Sequence, residues 1–312
     1  MLKIVSLLPS ATEVVASLGL AEYLVGRSHE CDYPPEVQKL PACTQPKFNP
    51  EGSSGEIHDR VTELLQTALS VYRIETDILQ QLQPTHIVTQ AQCDVCAVSL
   101  ADVEKAAATL LGCQPQVISL QPNLLAEVWT DMERVASALG VDGSGAIASL
   151  KSRVEAVAKK TQSLPEAQLP TVACIEWIQP LMAAGNWIPE LVSLAGGRSP
   201  SVSYGESLFG IPGQHSPWLQ WQDLVAADPD IIICMPCGFD LAKTREDALQ
   251  LTQYPEWSDL SAVRGDRVYI TDGNSYFNRP GPRLVDSLEI LAEILHPDLF
   301  PISYLGSGWE VI

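Results

Sequence analysis

Ser144-Gly145-Ala146-Ile147-Ala148-Ser149-Leu150-Lys151-Ser152-Arg153-Val154-Glu155-Ala156-Val157-Ala158-Lys159-Lys160-Thr161-Gln162-Ser163, set between Gly143 and Pro165, decides how the 312-residue chain is organised. Ser144 is an N-cap residue and Pro165 a helix stop. Ile147, Leu150, Val154 and Val157 recur at spacings of three and four, which puts them on one helical face. Lys159 and Lys160 fall in the last turn, where cations suit the helix dipole. At ~1.5 Å per residue such a helix is roughly 30 Å long, about one small domain across. Strand-like and helix-like segments alternate before it and again after it. The expected fold is α/β: two Rossmann-like lobes with parallel-rich sheets, joined by this one helix as a rigid strut. The boundaries are residues 1–141, 142–164 and 165–312. The competing expectation is one more surface helix in a single domain.

Composition bounds the function. Apolar residues make up 46% of the chain, enough to bury real cores, and the formal charge is −19. A chain this acidic has no electrostatic footprint for nucleic acid or anionic membranes. No run approaches the ~20 apolar residues of a membrane span. The opening Met1-Leu2-Lys3-Ile4-Val5-Ser6-Leu7-Leu8-Pro9 is too short for a secretory signal and reads as the first core strand. The expectation is therefore a cytoplasmic, monomeric protein, or a periplasmic or lipid-anchored one if a leader precedes this sequence. In a cytoplasmic setting the eight cysteines stay mostly reduced.

Along the chain, strands are expected at 4–8, 24–27, 86–89, 117–120, 171–175, 231–234 and 268–271. Helices are expected at 12–18, 57–69, 77–82, 100–111, 124–139, 188–194, 219–226 and 241–253, with a last one ending at Leu295. The stretch around Cys43–Ser54 and the tail from His296 read as irregular. Alternation of this kind implies parallel sheets with right-handed crossovers. The two halves also echo each other. Tyr72 precedes Asp77, a short helix, Pro84 and a strand; Trp218 precedes Asp223, a short helix, Pro229 and a strand.

In open α/β sheets ligands bind beyond the carboxyl ends of the strands. The loops there are Pro9–Ser10, Ser28–Pro35, Gln90–Val98, Trp177–Trp187, Met235–Phe239 and Asn274–Arg279, three from each half. If the sheets face one another, these loops line one cleft. Its rings would be Tyr33, Tyr72, Trp177, Trp187, Trp218, Phe239, Tyr276 and Phe277, which suit a large, flat, partly apolar ligand. Core packing is the alternative for each ring taken singly. Gln92 and Asn186 supply polar groups, and Arg27, Arg279 and Arg283 are candidates for an anionic ligand group. His29 and His215 are candidate ligands of a metal centre; His58, His86 and His296 read as surface or structural positions.

The cysteines offer a rival. Cys93-x-x-Cys96 and Cys234-x-x-Cys237, with Cys31, fall in cleft loops and read as a thiol-ligated metal or redox site. The pairs lie far apart in sequence, unlike the close pairs of a zinc ribbon, so small semi-buried thiols are the alternative. No G-x-S-x-G, Walker loop or G-x-G-x-x-G appears, and no catalytic residue or enzyme cofactor is expected.

Ile4-Val5-Ser6-Leu7-Leu8-Pro9-Ser10-Ala11-Thr12-Glu13 followed by Gly26-Arg27 resembles the opening of the substrate-binding proteins of vitamin B12, haem and siderophore ABC importers. Ala184-Gly185-Asn186-Trp187 through Ala195-Gly196-Gly197, and Tyr276 to Arg283, fit the same family. The likeness spans nearly the whole chain and is nearest to the cobalamin-binding branch. It implies two lobes on one long helix and non-catalytic binding of a corrinoid between them, with haem or a ferric siderophore as alternatives. Tyr72 and Trp218 match aromatic positions that pack on the corrin. Asp77 and Asp223 fall where family members carry acids that dock on an ABC permease, although glutamate is usual there in the B12 importer protein. Combined with the opening of the chain, the resemblance suggests a cytoplasmic corrinoid carrier or sensor.

Overall fold

The computed structural model describes residues 1–68, 70–91, 98–200 and 209–312. The chain forms two compact units. The first takes Met1–Gly52, Glu56–Pro122 and Ala126–Ser149; the second takes Ser53–Gly55, Asn123–Leu125 and Leu150–Ile312. The division falls inside the long helix named from the sequence.

The first half of the chain runs β1 (Ile4–Ser6), α1 (Pro9–Ser17), β2 (Leu24–Gly26), β3 (Thr44–Pro46), α2 (Ser54–Leu65), β4 (Tyr72–Ile74), α3 (Thr76–Leu82), β5 (His86–Gln90), α4 (Leu100–Thr109), β6 (Gln116–Leu120), α5 (Leu125–Leu139) and α6 (Ser144–Thr161). Its main sheet has the order β2-β1-β5-β6, and every pair is parallel. Parallel strands are buried on both faces, so they read as continuous apolar runs rather than alternating ones. Ile4, Val5, Ile87 and Val88 fit this, each 0% exposed. Val5, Leu7, Leu79, Ile87, Val103 and Ala106 belong to one core cluster.

The second half runs β7 (Val172–Trp177), β8 (Met182–Ala183), α7 (Ile188–Leu194), α8 (Trp221–Ala227), β9 (Ile231–Cys234), α9 (Leu241–Ala248), α10 (Ser261–Arg264), β10 (Val268–Thr271), α11 (Leu284–Leu295) and β11 (Trp309–Val311). Its sheet has the order β11-β10-β9-β7-β8. The three central strands are parallel, and the short edge strands β8 and β11 are antiparallel to their neighbours. Ile175, Leu181, Trp221, Leu224, Ile232, Cys234 and Ile270 form its core. Within this unit Arg153 of α6 is fixed to α11, donating to Glu289 Oε1 at 2.9 Å and to Asp286 Oδ1 at 2.5 Å.

The repeat seen in the sequence has a structural counterpart. α3 leaves through Gln83 (φ 50°, ψ 60°) and α8 through Asp228 (φ 36°, ψ 64°). Both residues are left-handed, and each directly precedes a proline. Proline disfavours the α-region in the residue before it, so both helices stop there.

Several elements differ from expectation. β3, within the stretch read as irregular, pairs antiparallel with β4, Pro46 facing Tyr72. The tail holds β11, and the helix expected at 241–253 becomes a 3-10 turn over Leu249–Gln253. Strands of two or three residues carry no period-2 signal, which is why the sequence does not announce them.

Candidate ligand-binding site

In the first unit, β2 delivers the loop from Arg27 to Tyr33. The Arg27 guanidinium folds this loop on itself: Nη1 donates to the Ser28 carbonyl at 2.8 Å and the His29 carbonyl at 3.1 Å, and Nη2 to the Gln38 carbonyl at 3.2 Å. Thr44 Oγ1 donates to Ser28 Oγ at 3.1 Å and accepts from the His29 amide at 3.1 Å. His29 Nδ1 lies 2.8 Å from the same oxygen. Because the Thr44 proton goes to Ser28, we assign the His29 proton to Nδ1, which leaves Nε2 unprotonated, 4.0 Å from Glu30 Oε1. Burial, assisted by the Arg27 charge, pulls the His29 pKa down to about 4, so the ring is neutral at neutral pH.

Tyr72 packs against His29, ring centroids 5.1 Å apart, and donates its hydroxyl to Glu30 Oε1 at 2.9 Å. It is 9% exposed, whereas Tyr33 is 47% exposed. A cavity of about 330 Å³ opens beside Tyr72, lined among others by Lys47, Arg73, Asp102 and Lys105. That volume is at the low end for a ligand pocket. Pro9 and Ser10 form the first turn of α1 rather than a loop, and the buried Ser10 Oγ has no hydrogen-bond partner among the described residues. Gln92, Cys93 and Cys96 lie outside the described residues.

In the second unit, the carboxyl ends of β7 and β9 carry the expected groups. Trp177 meets Phe239 at 5.4 Å. Trp218 is bridged through its backbone to Met182 and is 55% exposed. Trp187, Phe239 and Phe277 are buried at 6%, 2% and 0% exposure. Trp187 Nε1 donates to the Phe277 carbonyl at 2.6 Å, so that pair braces the loop rather than facing solvent. Arg279 is 5% exposed and donates to Asn274 Oδ1 at 3.0 Å. Arg283 lies 4.5 Å from the centre of the Tyr276 ring and 3.9 Å from Asp286 Oδ2. Asn186 adopts φ 51°, with its Oδ1 buried and without a hydrogen-bond partner among the described residues. His215 is exposed.

Glu176 and Ser216, absent from the sequence candidates, stand among these groups. Ser216 Oγ donates to Glu176 Oε2 at 2.6 Å and accepts from the Gly185 amide at 3.0 Å. Burial pushes the Glu176 carboxyl above the usual carboxylate range, and the Ser216 and Gly185 hydrogen bonds draw it part of the way back. Its signal was available: Glu176 is a charge at the end of the otherwise apolar run Val172–Ile175.

The described cysteines do not assemble a metal site. Cys234 is 0% exposed in the sheet core, while Cys237, three residues on, is exposed. A chelating pair needs both sulfurs at one point. Cys31 is buried, its sulfur accepting the Thr12 hydroxyl at 3.0 Å. Among the described residues no group of three or more His, Cys, Asp or Glu is placed to hold a metal ion. The two acids expected to dock also differ. Asp77 is exposed on α3, whereas Asp223 spends a carboxylate oxygen on the Gln220 amide at 2.8 Å, in a capping box on α8.

The sequence model described as "Periplasmic binding protein" matches residues 4–274. The chain belongs to the periplasmic binding protein family. It is 22% identical over 305 residues to the uncharacterized ABC transporter substrate-binding lipoprotein YvrC of Bacillus subtilis, covering 96% of this chain and 81% of that one. The periplasmic heme-binding protein RhuT of Roseiflexus sp. RS-1 superposes with a TM-score of 0.67 at 22% identity, covering 95% and 98% of the two chains. The periplasmic vitamin B12 binding protein BtuF of Vibrio cholerae does so with a TM-score of 0.62 at 20% identity, covering 94% and 96%. Membership makes this chain a ligand-binding component of the ABC-importer type, in a family that is not enzymatic.

The expectation of a cytoplasmic carrier or sensor is thereby corrected. The family is periplasmic and its relative YvrC is a lipoprotein. The opening apolar residues are core strand β1 and carry no information on compartment. Among the described residues no helix is long and apolar enough to cross a membrane.

Proposed function

We propose that this chain is the corrinoid-binding component of an ABC importer, taking a cobalamin-like ligand on the loops at the carboxyl ends of its strands. The observation that carries the choice is the use made of the arginines. Arg27, Arg279 and Arg283, the cations marked for an anionic ligand, are each engaged within their own unit. A haem or a ferric siderophore presents negative groups that need such cations. A corrinoid is rimmed by neutral amides and asks for aromatic cover and hydrogen bonds. Trp218 and Tyr33 provide exposed rings for that cover. At about 25 cal/mol per Å² of apolar surface, covering such a ring contributes a few kcal/mol before the entropic cost of binding. Asp77 and Asp223 are the acids we assign to permease docking.

One observation favours haem instead. The neutral His29 ring holds Nδ1 on Thr44, which orients the unprotonated Nε2, 4.0 Å from Glu30 Oε1, in the manner of a metal-ligating imidazole. Native mass spectrometry of the protein mixed with equal amounts of cyanocobalamin and haemin separates the readings. A one-to-one cyanocobalamin adduct is expected. A haemin adduct alone overturns the corrinoid assignment.

A further inference from the structure

Glu176 sits where the β7 ladder changes step. β7 pairs with β9 in even parallel register from Val172 to Ile175. On its other side Ile175 faces Ala183, but Trp177 faces Met182, so the register shifts across Glu176. Such irregularities re-aim a side chain and gather beside binding sites. Here the re-aimed group is a carboxyl at the carboxyl end of a central strand.

Its support is built from backbone. Gly185 has no room for a side chain: a Cβ there would lie 2.5 Å from the Ser216 amide nitrogen and 2.6 Å from the Gln214 carbonyl oxygen. That close approach lets residues 214–218 lie against 182–186. Asn186 N donates to the Gln214 carbonyl at 2.6 Å and Ala183 N to the Pro217 carbonyl at 3.0 Å. Ser216 is thus fixed, and its hydroxyl fixes Glu176. Two residues beyond Ser216, the same segment presents the exposed Trp218.

Glu176 is half-buried rather than sealed in the core. Among the described residues no ion pair holds Glu176. Its partners are neutral: one hydroxyl and the Gly185 backbone. In its ionised form such a carboxyl accepts from N–H and O–H donors and repels a carboxylate brought against it. Specificity comes as much from what a site refuses as from what it holds.

We propose that Glu176, positioned by Ser216, is the specificity residue of the ligand site, accepting an amide N–H from a neutral macrocycle and turning away macrocycles that carry carboxylates. This rests on the corrinoid reading and names the chemistry by which that ligand is chosen.

The test compares affinities for cyanocobalamin and haemin in the wild type, Glu176→Gln and Glu176→Asp, with thermal unfolding as a check on folding. Glu176→Gln keeps the shape, removes the charge and replaces one acceptor oxygen by an N–H donor. It is expected to narrow the preference for cyanocobalamin about tenfold, chiefly by tightening haemin. Glu176→Asp keeps the charge and is expected to keep the preference while weakening cyanocobalamin several-fold. If Glu176→Gln moves both affinities by the same factor, or neither, Glu176 is only structural and the proposal falls while the corrinoid reading stands. If wild-type protein binds no cyanocobalamin, the corrinoid reading falls and takes this proposal with it.

Discussion

Replacing Trp218 by alanine perturbs the proposed ligand surface while leaving its scaffold in place. The segment is held by backbone: Trp218 bridges to Met182, Ala183 N donates to the Pro217 carbonyl at 3.0 Å and Leu219 N to the Leu181 carbonyl at 2.8 Å. Trp218 is 55% exposed in the free protein. A tryptophan buries 150–250 Å², so covering the open part of this ring removes roughly 100 Å² from water. At about 25 cal/mol per Å² that is worth ~2.5 kcal/mol, or a loss of roughly 70-fold in affinity on truncation. The assay is titration of the variant with cyanocobalamin, followed in the visible spectrum. Trp221→Ala is the control. That ring is 6% exposed and stacked 4.2 Å from Tyr254, so its loss costs about 3–5 kcal/mol of stability instead. A Trp218→Ala affinity within threefold of wild type refutes the assignment of this ring to the ligand.

Other consequences follow from the geometry. The folded His29 pKa is lowered to about 4 against an ordinary value of 6.5, so its contribution is intact above pH 6.5 and is lost as pH falls towards 4. The shift sets an upper bound of about 3 kcal/mol, and ~1–2 kcal/mol once water at a half-buried ring is allowed for. Denaturant unfolding at pH 7 and pH 4.5 should show that much less acid loss in His29→Gln than in wild type; equal losses contradict the assignment. Asp223→Ala removes the acceptor of the Gln220 amide and should cost ~1 kcal/mol of stability by the same measurement. Asp77→Lys, at an exposed site, should leave ligand affinity within twofold yet abolish stimulation of the permease ATPase; stimulation unchanged in that variant removes Asp77 from docking.

The sequence displayed the skeleton where elements are long or strongly apolar. α7, β9 and β10 lie at their expected limits, and α6 starts at Ser144, although the cap there is Asp142, which accepts the Ser144 amide, rather than Ser144 itself. It did not display β3, β8 or β11, whose two or three residues are ordered by partners distant in sequence. That gap hid the site's most informative feature, because the register shift at Glu176 exists only once β8 has paired. Ring exposure was hidden for a similar reason. Trp187 and Trp218 look alike in sequence, but a hydrogen bond to Phe277 helps bury the first, while the segment leaves the second in water. The arginines teach the same lesson: a cation near a loop reads as a ligand group until its carbonyl and amide partners are seen.

Calorimetric titration of the ligand-free protein with cyanocobalamin and, in parallel, with haemin tests the central claim most directly. One saturable site for cyanocobalamin, tighter than any haemin binding, is the predicted result. Absence of cyanocobalamin heat under conditions where haemin saturates a single site contradicts it.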